Sequence, residues 1–496
     1  MDRTDAPLAE IADGQLRGKW TPEHDVAMFR GIPYAAPPVG PLRFQPPVPP
    51  SPWTGVRDAT AFGPMAPQNV GVMERIWGAE RMASDEDCLS LNVWTPGLDS
   101  GKRPVMVWIH GGAFVTGSGS TPWYDGRGFA RAGDLVFVTV NYRLGVLGFL
   151  HLAELGGEAY ATSGNCGILD QVAALRWVRD NIAAFGGDPA QITVFGESAG
   201  AGSVGTLLGL PAASGLFHRA ILQSGACAFA SSRERAAGMA EETFKAAGLA
   251  PTDLTGLLEA PVSQLLEAQE NVYTHHAAAA LPYQPVVDGV ALPETPLEAV
   301  TKGSAAEVAV VVGTTSEEMK LFTLMDPDLA ASDESAIVAR ITEVFGTRAS
   351  EALEAYRDER PGDSNADVWT AVATDAVFRI PAIRLLERQG AVNNDCWSYL
   401  FTMRSTAFGG ALGACHALDV PFVFDNLDRP GVNLFTGDPP GAAELAQAMH
   451  RAWIAFARDG DPGWPRYDLT RRATMEFGSS CRVVDDPGRA ERVLWD

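Results

Sequence analysis

Nothing in this 496-residue chain approaches the roughly 18 consecutive apolar positions that a membrane-crossing helix requires. Positive charge is also scarce. Thirty-eight lysines and arginines stand against 61 aspartates and glutamates, a formal net charge of −23. Such a field repels polyphosphates and anionic lipid surfaces, which removes nucleic acid and membranes from the expected partners. Cysteine is sparse, with six residues at positions 88, 166, 227, 396, 415 and 481. They form no CxxC pair and no cluster with histidine, so neither a metal site nor a disulfide scaffold is expected. Met1 to Asp5 lack the basic start and apolar stretch of a secretion signal, and no Asn-x-Ser/Thr glycosylation acceptor occurs. The expectation is a cytoplasmic protein, monomeric or weakly self-associating.

What is present is enough apolar material for a large core: 46% of residues are hydrophobic and 20% charged. Short runs rich in β-branched residues recur at 105–109, 135–140, 192–195, 220–222 and 308–312. Near-continuous apolarity in such runs suits strands buried on both faces of a mostly parallel sheet. Between two of them, Leu169, Val172, Leu175, Val178, Ile182 and Phe185 recur every three or four residues, the period of one helix face. Gly186, Gly187 and Pro189 then close that helix. Strand, crossover helix and strand in succession predict an α/β fold with helices on both faces of the sheet. Segments 230–275 and 325–390 are rich in Ala, Glu and Leu and read as helical insertions. The first 70 residues carry many Pro and Gly, and read as irregular surface chain. With no repeat and no linker, 1–496 is expected to be one catalytic domain.

Residues 192–200 run from a buried strand into Gly196-Glu197-Ser198-Ala199-Gly200, followed by a helical pattern. A serine held at a tight strand-to-helix elbow needs small neighbours two residues either side, and the following helix aims its positive end at the site. Ser198 is therefore the candidate nucleophile. Upstream, the strand at 105–109 leads into His110-Gly111-Gly112-Ala113-Phe114, where small residues let backbone N–H groups approach a substrate carbonyl. Gly112, Ala113 and Ala199 are the candidate oxyanion donors. His110, at a strand end, reads as structural.

With these motifs in place, the sequence resembles the type-B carboxylesterases, a family that includes bacterial para-nitrobenzyl esterases and cholinesterases. The resemblance rests on Phe29-Arg30-Gly31-Ile32-Pro33-Tyr34-Ala35, Leu42-Arg43-Phe44, Glu86-Asp87-Cys88-Leu89, Asn141-Tyr142-Arg143 and Phe185-Gly186-Gly187-Asp188-Pro189, in order. It implies the α/β-hydrolase fold, a small-molecule ester substrate and no cofactor. Carried onto Gly313-Thr314-Thr315-Ser316-Glu317-Glu318-Met319, it places the acid at Glu318, with Glu317 as the alternative. Carried onto Gly413-Ala414-Cys415-His416, it places the base at His416. The order Ser198, Glu318, His416 is that of the fold. His450, the other histidine after the acid, sits in a helical pattern and reads as packing. Ala66 stands where many relatives have the cysteine that would pair with Cys88. Glu197 and Trp77 are candidate substrate-binding residues, and Ser224 resembles a family position near the histidine. Small to medium, apolar or aromatic esters are the expected substrates, with carbamates or amides as the alternative. A non-catalytic binding protein on this scaffold would have lost Ser198.

Overall fold

The computed structural model describes residues 5–71, 83–276, 281–324 and 326–496. Its centre is a sheet of eleven strands. In chain order these are β1 (Lys19–Trp20), β2 (Ala27–Pro33), β3 (Ser90–Thr95), β4 (Arg103–Ile109), β5 (Val136–Val140), β6 (Gly187–Glu197), β7 (Arg219–Gln223), β8 (Ala309–Thr315), β9 (Cys396–Phe401), β10 (Ala473–Phe477) and β11 (Arg482–Asp485). Across the sheet they run β11-β10-β9-β8-β7-β6-β4-β5-β3-β2-β1. The seven strands from β5 to β10 pair in parallel, and the edges are antiparallel.

Strand side chains alternate between two apolar layers. Val105, Val107 and Ile109 of β4 face one core, while Met106 and Trp108 face the other. Ile192 and Val194 against Phe195, and Val310 and Val312 against Val311, repeat the division. Burial on both faces explains why these strands read as continuous apolar runs. Helix α1 (Cys166–Asn181) and helix α2 (Ala199–Gly209) cover the first face. Helix α3 (Ala442–Asp459) covers the second, through Met449, Trp453 and Phe456. Helices fill 233–276 and most of 320–390, and the latter wrap a small third core around Ile337, Ile341, Tyr356 and Val368.

Residues 5–70 are only partly irregular. They hold β1, β2 and a three-stranded sheet made of Leu8–Ile11, Gly14–Arg17 and Val56–Asp58. Proline and glycine hid these strands because they lie at edges and between turns, where such residues are tolerated. The sequence signatures here are buried ion pairs. Arg43 grips Glu86 at 2.7 Å and donates to Leu258 O and Ala260 O, pinning the segment before β3 to the helices after β7. Arg143 and Asp170 pair at 2.7 Å, fully inside. Breaking one partner of such a pair costs about 3–5 kcal/mol because the other is left buried and uncompensated. Cys88 is buried and unpaired, like Cys166, Cys227, Cys396 and Cys415. Among the described residues, no helix is long and apolar enough to cross a membrane.

Candidate active site

The C-terminal ends of β4, β6 and β8 and the segment after β9 converge on one cluster. Ser198 follows β6 directly, with φ 57° and ψ −123°, a backbone geometry that a non-glycine residue adopts only when its surroundings impose it. Its N–H donates to Gln223 O at 2.9 Å, and its carbonyl accepts from Gly202 N at 2.8 Å. A Cβ on Gly200 would stand 2.1 Å from Ile109 O, and one on Gly196 would stand 2.6 Å from the same oxygen. The glycines of the elbow are therefore required by the close approach of β4.

The turn after β4 lies against the elbow. A Cβ on Gly111 would meet Glu197 O at 2.6 Å and Ser198 Cβ at 3.1 Å. Gly112, Ala113 and Phe114 all have positive φ, 109°, 55° and 61°. Among the described residues no acceptor takes the N–H groups of Gly112, Ala113 or Ala199. Ala199 opens the eleven-residue α2, whose N-terminal end adds positive potential at the same place. His110 is buried, stacks on Tyr142 at 4.5 Å and donates through Nδ1–H to its neighbour Gly111 O at 2.8 Å. Burial pushes it down to about 4, so it stays neutral and structural.

Glu318 and Glu317 face different ways. Glu318 is fully buried: one oxygen accepts Thr315 N at 2.7 Å, the other lies 2.6 Å from His416 Nδ1. Glu317 turns to the surface, where it pairs with Arg404 and Lys320 and accepts Ala414 N at 2.8 Å. The contact to His416 thus falls to Glu318, the residue that the resemblance placed there, and not to Glu317. Met319, at φ −71° and ψ −10°, leads into a short helix.

His416 is buried between Phe378 (ring centroids 4.7 Å apart) and Phe322 (5.3 Å). Its Nε2 lies 3.1 Å from Glu197 Oε1, yet that oxygen has no aligned hydrogen-bond partner. Among the described residues no hydrogen bond joins Ser198 Oγ to His416, whose Nε2 faces Glu197 instead. Sequence reading passed over the layer beneath. Asp419, fully buried, accepts Tyr399 OH at 2.9 Å and Gln223 Nε2 at 3.1 Å, and Trp453 Nε1 donates to Gln223 Oε1. Only its place three residues after His416 could have signalled it. Phe378 also escaped notice. It sits in a π-helical turn, Asp375–Arg379, which widens the helix and is anchored by Tyr356 OH on Asp375.

Three carboxylates around one imidazole set the electrostatics. Burial, with Asp419 and Glu318 nearby, pushes the Glu197 carboxyl up, while the positive charge on His416 pulls it back down. Burial opposes charging His416, but Glu197 and Glu318 outweigh it and hold it up at about 9. Burial and Glu318 raise Asp419 to about 6. Ser224 is buried nearby with φ 52° and its hydroxyl unpartnered. Cys415 is buried, and burial pushes its thiol up, away from the reactive thiolate. His450 donates through Nδ1–H to Val423 O and packs on Phe129, inside α3's core contact. Trp77 lies outside the described residues. Among the described residues no group of three or more His, Cys, Asp or Glu could hold a metal ion.

The profile of the carboxylesterase family matches residues 5–492. The chain is 38% identical over 508 residues to a phenmedipham hydrolase of Pseudarthrobacter oxydans, covering 98% of each. It is 38% identical over 494 residues to a para-nitrobenzyl esterase of Bacillus subtilis, covering 97% of this chain and 96% of that one. The crystal structure of a Geobacillus stearothermophilus carboxylesterase at pH 6.2 superposes with a TM-score of 0.90 at 45% identity, over 99% of this chain and all of that one.

Proposed function

The chain belongs to the carboxylesterase family, with the α/β-hydrolase fold, and from that premise we propose that Ser198, His416 and Glu318 carry its ester hydrolysis. The observation that bears most weight is the Glu318–His416 contact of 2.6 Å beside the positive-φ elbow at Ser198. His416 accepts the Ser198 proton as its oxygen attacks the ester carbonyl. Glu318 fixes the imidazole with Nδ1–H toward itself, leaving Nε2 as the base, and stabilises the imidazolium. Gly112, Ala113 and Ala199 donate to the oxyanion, each donor worth about 10²–10³ in turnover. The alcohol leaves with the proton from His416, and water then cleaves the acyl-enzyme by the same steps. Phe378, Phe322 and Phe229 supply apolar walls, which suits small to medium apolar or aromatic esters. The whole chain acts as one catalytic unit, in the cytoplasm, as a monomer or weak homo-oligomer; its five buried thiols fit a reducing compartment.

A second reading, hydrolysis of carbamates or amides with the same residues, draws on the relative named for phenmedipham. Labelling with an organophosphate, peptide mapping, and an aryl-ester against aryl-carbamate comparison test both readings. The expected outcome is a single adduct on Ser198 and a kcat/KM that favours the ester. An adduct elsewhere would overturn the assignment, and a preference for the carbamate would favour the second reading.

Glu197 has a measurable part. His416 must be neutral to act, so kcat/KM rises as pH climbs through its ionisation. Glu197 is the largest influence raising that ionisation. In Glu197→Gln the imidazolium loses a negative neighbour and gives up its proton more easily. The acid limb of the kcat/KM profile then moves to lower pH by about one pH unit or more. A limb that stays in place would refute the coupling.

A further inference from the structure

At the β1–β2 edge of the sheet lies a groove of about 720 Å³ whose lining inverts the charge of the molecule. Among the described residues its walls include Arg17, Lys19, Arg30 and Arg127 and no acidic residue, in a chain with 61 acids to 38 bases. None of the lining residues belongs to the cluster around Ser198.

Arg30 is the unusual member. It is half-buried, with its guanidinium 4.2 Å from the Phe62 ring centroid and 5.9 Å from that of Trp94. One terminal nitrogen reaches Met28 Sδ at 3.3 Å, a weak acceptor, and the buried Nε has no partner. Among the described residues no carboxylate lies within ion-pair distance of Arg30 or Lys19. Arg127 pairs with Asp125 at 2.7 Å, but that carboxylate is shared with Arg429 at 3.4 Å. Arg17 meets Asp58 only at 3.9 Å. The groove therefore holds more positive charge than its own carboxylates neutralise. Asp125 acts on Arg30 and Glu23 on Arg127 through space, which lessens this excess without pairing Arg30 or Lys19.

We propose that this groove binds a dianionic phosphate group, free or carried on an organic molecule. Arg30 offers a planar fork of donors with unused capacity, the geometry that matches phosphate oxygens. Lys19 and Arg127 neutralise the second charge. Phe62 and Trp94 hold the Arg30 plane, so little freedom is lost when an anion docks.

The test is titration of the full-length protein with inorganic phosphate, followed by calorimetry, with glycerol 2-phosphate and acetate as parallel arms. One phosphate per chain is expected to bind saturably, with a dissociation constant in the millimolar range or tighter. Arg30→Gln weakens it about tenfold or more, as loss of a charge-assisted bond does. Lys19→Gln and Arg17→Gln, at exposed positions that leave the packing intact, weaken it about threefold and carry the test should Arg30→Gln not fold. Tighter binding of glycerol 2-phosphate than of phosphate marks the ligand as a monoester; equal binding marks it as free phosphate. The proposal falls if no saturable binding occurs, if acetate binds equally well, or if all folded variants bind like the parent. Ester hydrolysis by these variants reports on Ser198 separately, so failure of this site leaves the catalytic assignment untouched.

Discussion

Replacing Ser198 by alanine lowers kcat/KM for an aryl ester by about 10⁵–10⁶-fold, the scale of nucleophile loss in serine hydrolases. At 1.36 kcal/mol per factor of ten, this removes about 7–8 kcal/mol of transition-state stabilisation. On the proposed mechanism the loss is large because Ser198 forms the covalent bond, and a water taking its place would not be held against the carbonyl. It is not total, since on the proposed mechanism the N–H groups of Gly112, Ala113 and Ala199 would still donate to the carbonyl oxygen. The alanine side chain suits the elbow no better than serine does, so φ 57° remains imposed and the fold is retained. Steady-state rates, the absence of a pre-steady-state burst and the loss of organophosphate labelling check the result together. A folded alanine variant keeping more than a few per cent of the rate would remove Ser198 from the mechanism.

The adjacent glutamates give opposite results. Glu318→Gln drops kcat by about 10⁴-fold, as amide replacement of the acid does in serine proteases. The reason lies in the hydrogen bonds. Thr315 N–H claims one oxygen of Glu318 at 2.7 Å, so the amide of a glutamine turns its NH₂ toward His416 Nδ1. Nδ1 then accepts, the ring proton moves to Nε2, and the base faces Ser198 already protonated. Glu317→Gln instead leaves kcat within about threefold, because its partners are Arg404, Lys320 and Ala414 N rather than the imidazole. Its ion pairs are partly exposed and contribute about 0–1 kcal/mol, so the melting temperature falls by a few degrees at most. Equal losses from both substitutions would make the contact at His416 irrelevant to turnover.

The strands were legible wherever burial on both faces made them continuous, as at β4, β5 and β8. They were illegible at β2, β9 and the N-terminal sheet. There the chain is mixed in polarity or broken by proline, and pairing to neighbours, not pattern, makes the strand. In the site, Ser198 announced itself through flanking glycines, because the steric demand that selects them acts between residues adjacent in sequence. The choice between Glu317 and Glu318 could not be read that way. Both are carboxylates at one turn, and which faces inward depends on Thr315, Arg404 and the loop carrying Ala414.

Sequence by itself determined the chemistry on offer: a serine elbow, a glycine turn for oxyanion donors, and a histidine and acids in the order the fold needs. Only the tertiary structure decided how those groups act on one another. It set Glu197, Glu318 and Asp419 around a single buried imidazole, and it brought Gln223, Tyr399 and Trp453 beneath them. Local sterics are written into neighbouring residues, whereas the field at a buried charge sums over strands and helices hundreds of positions apart.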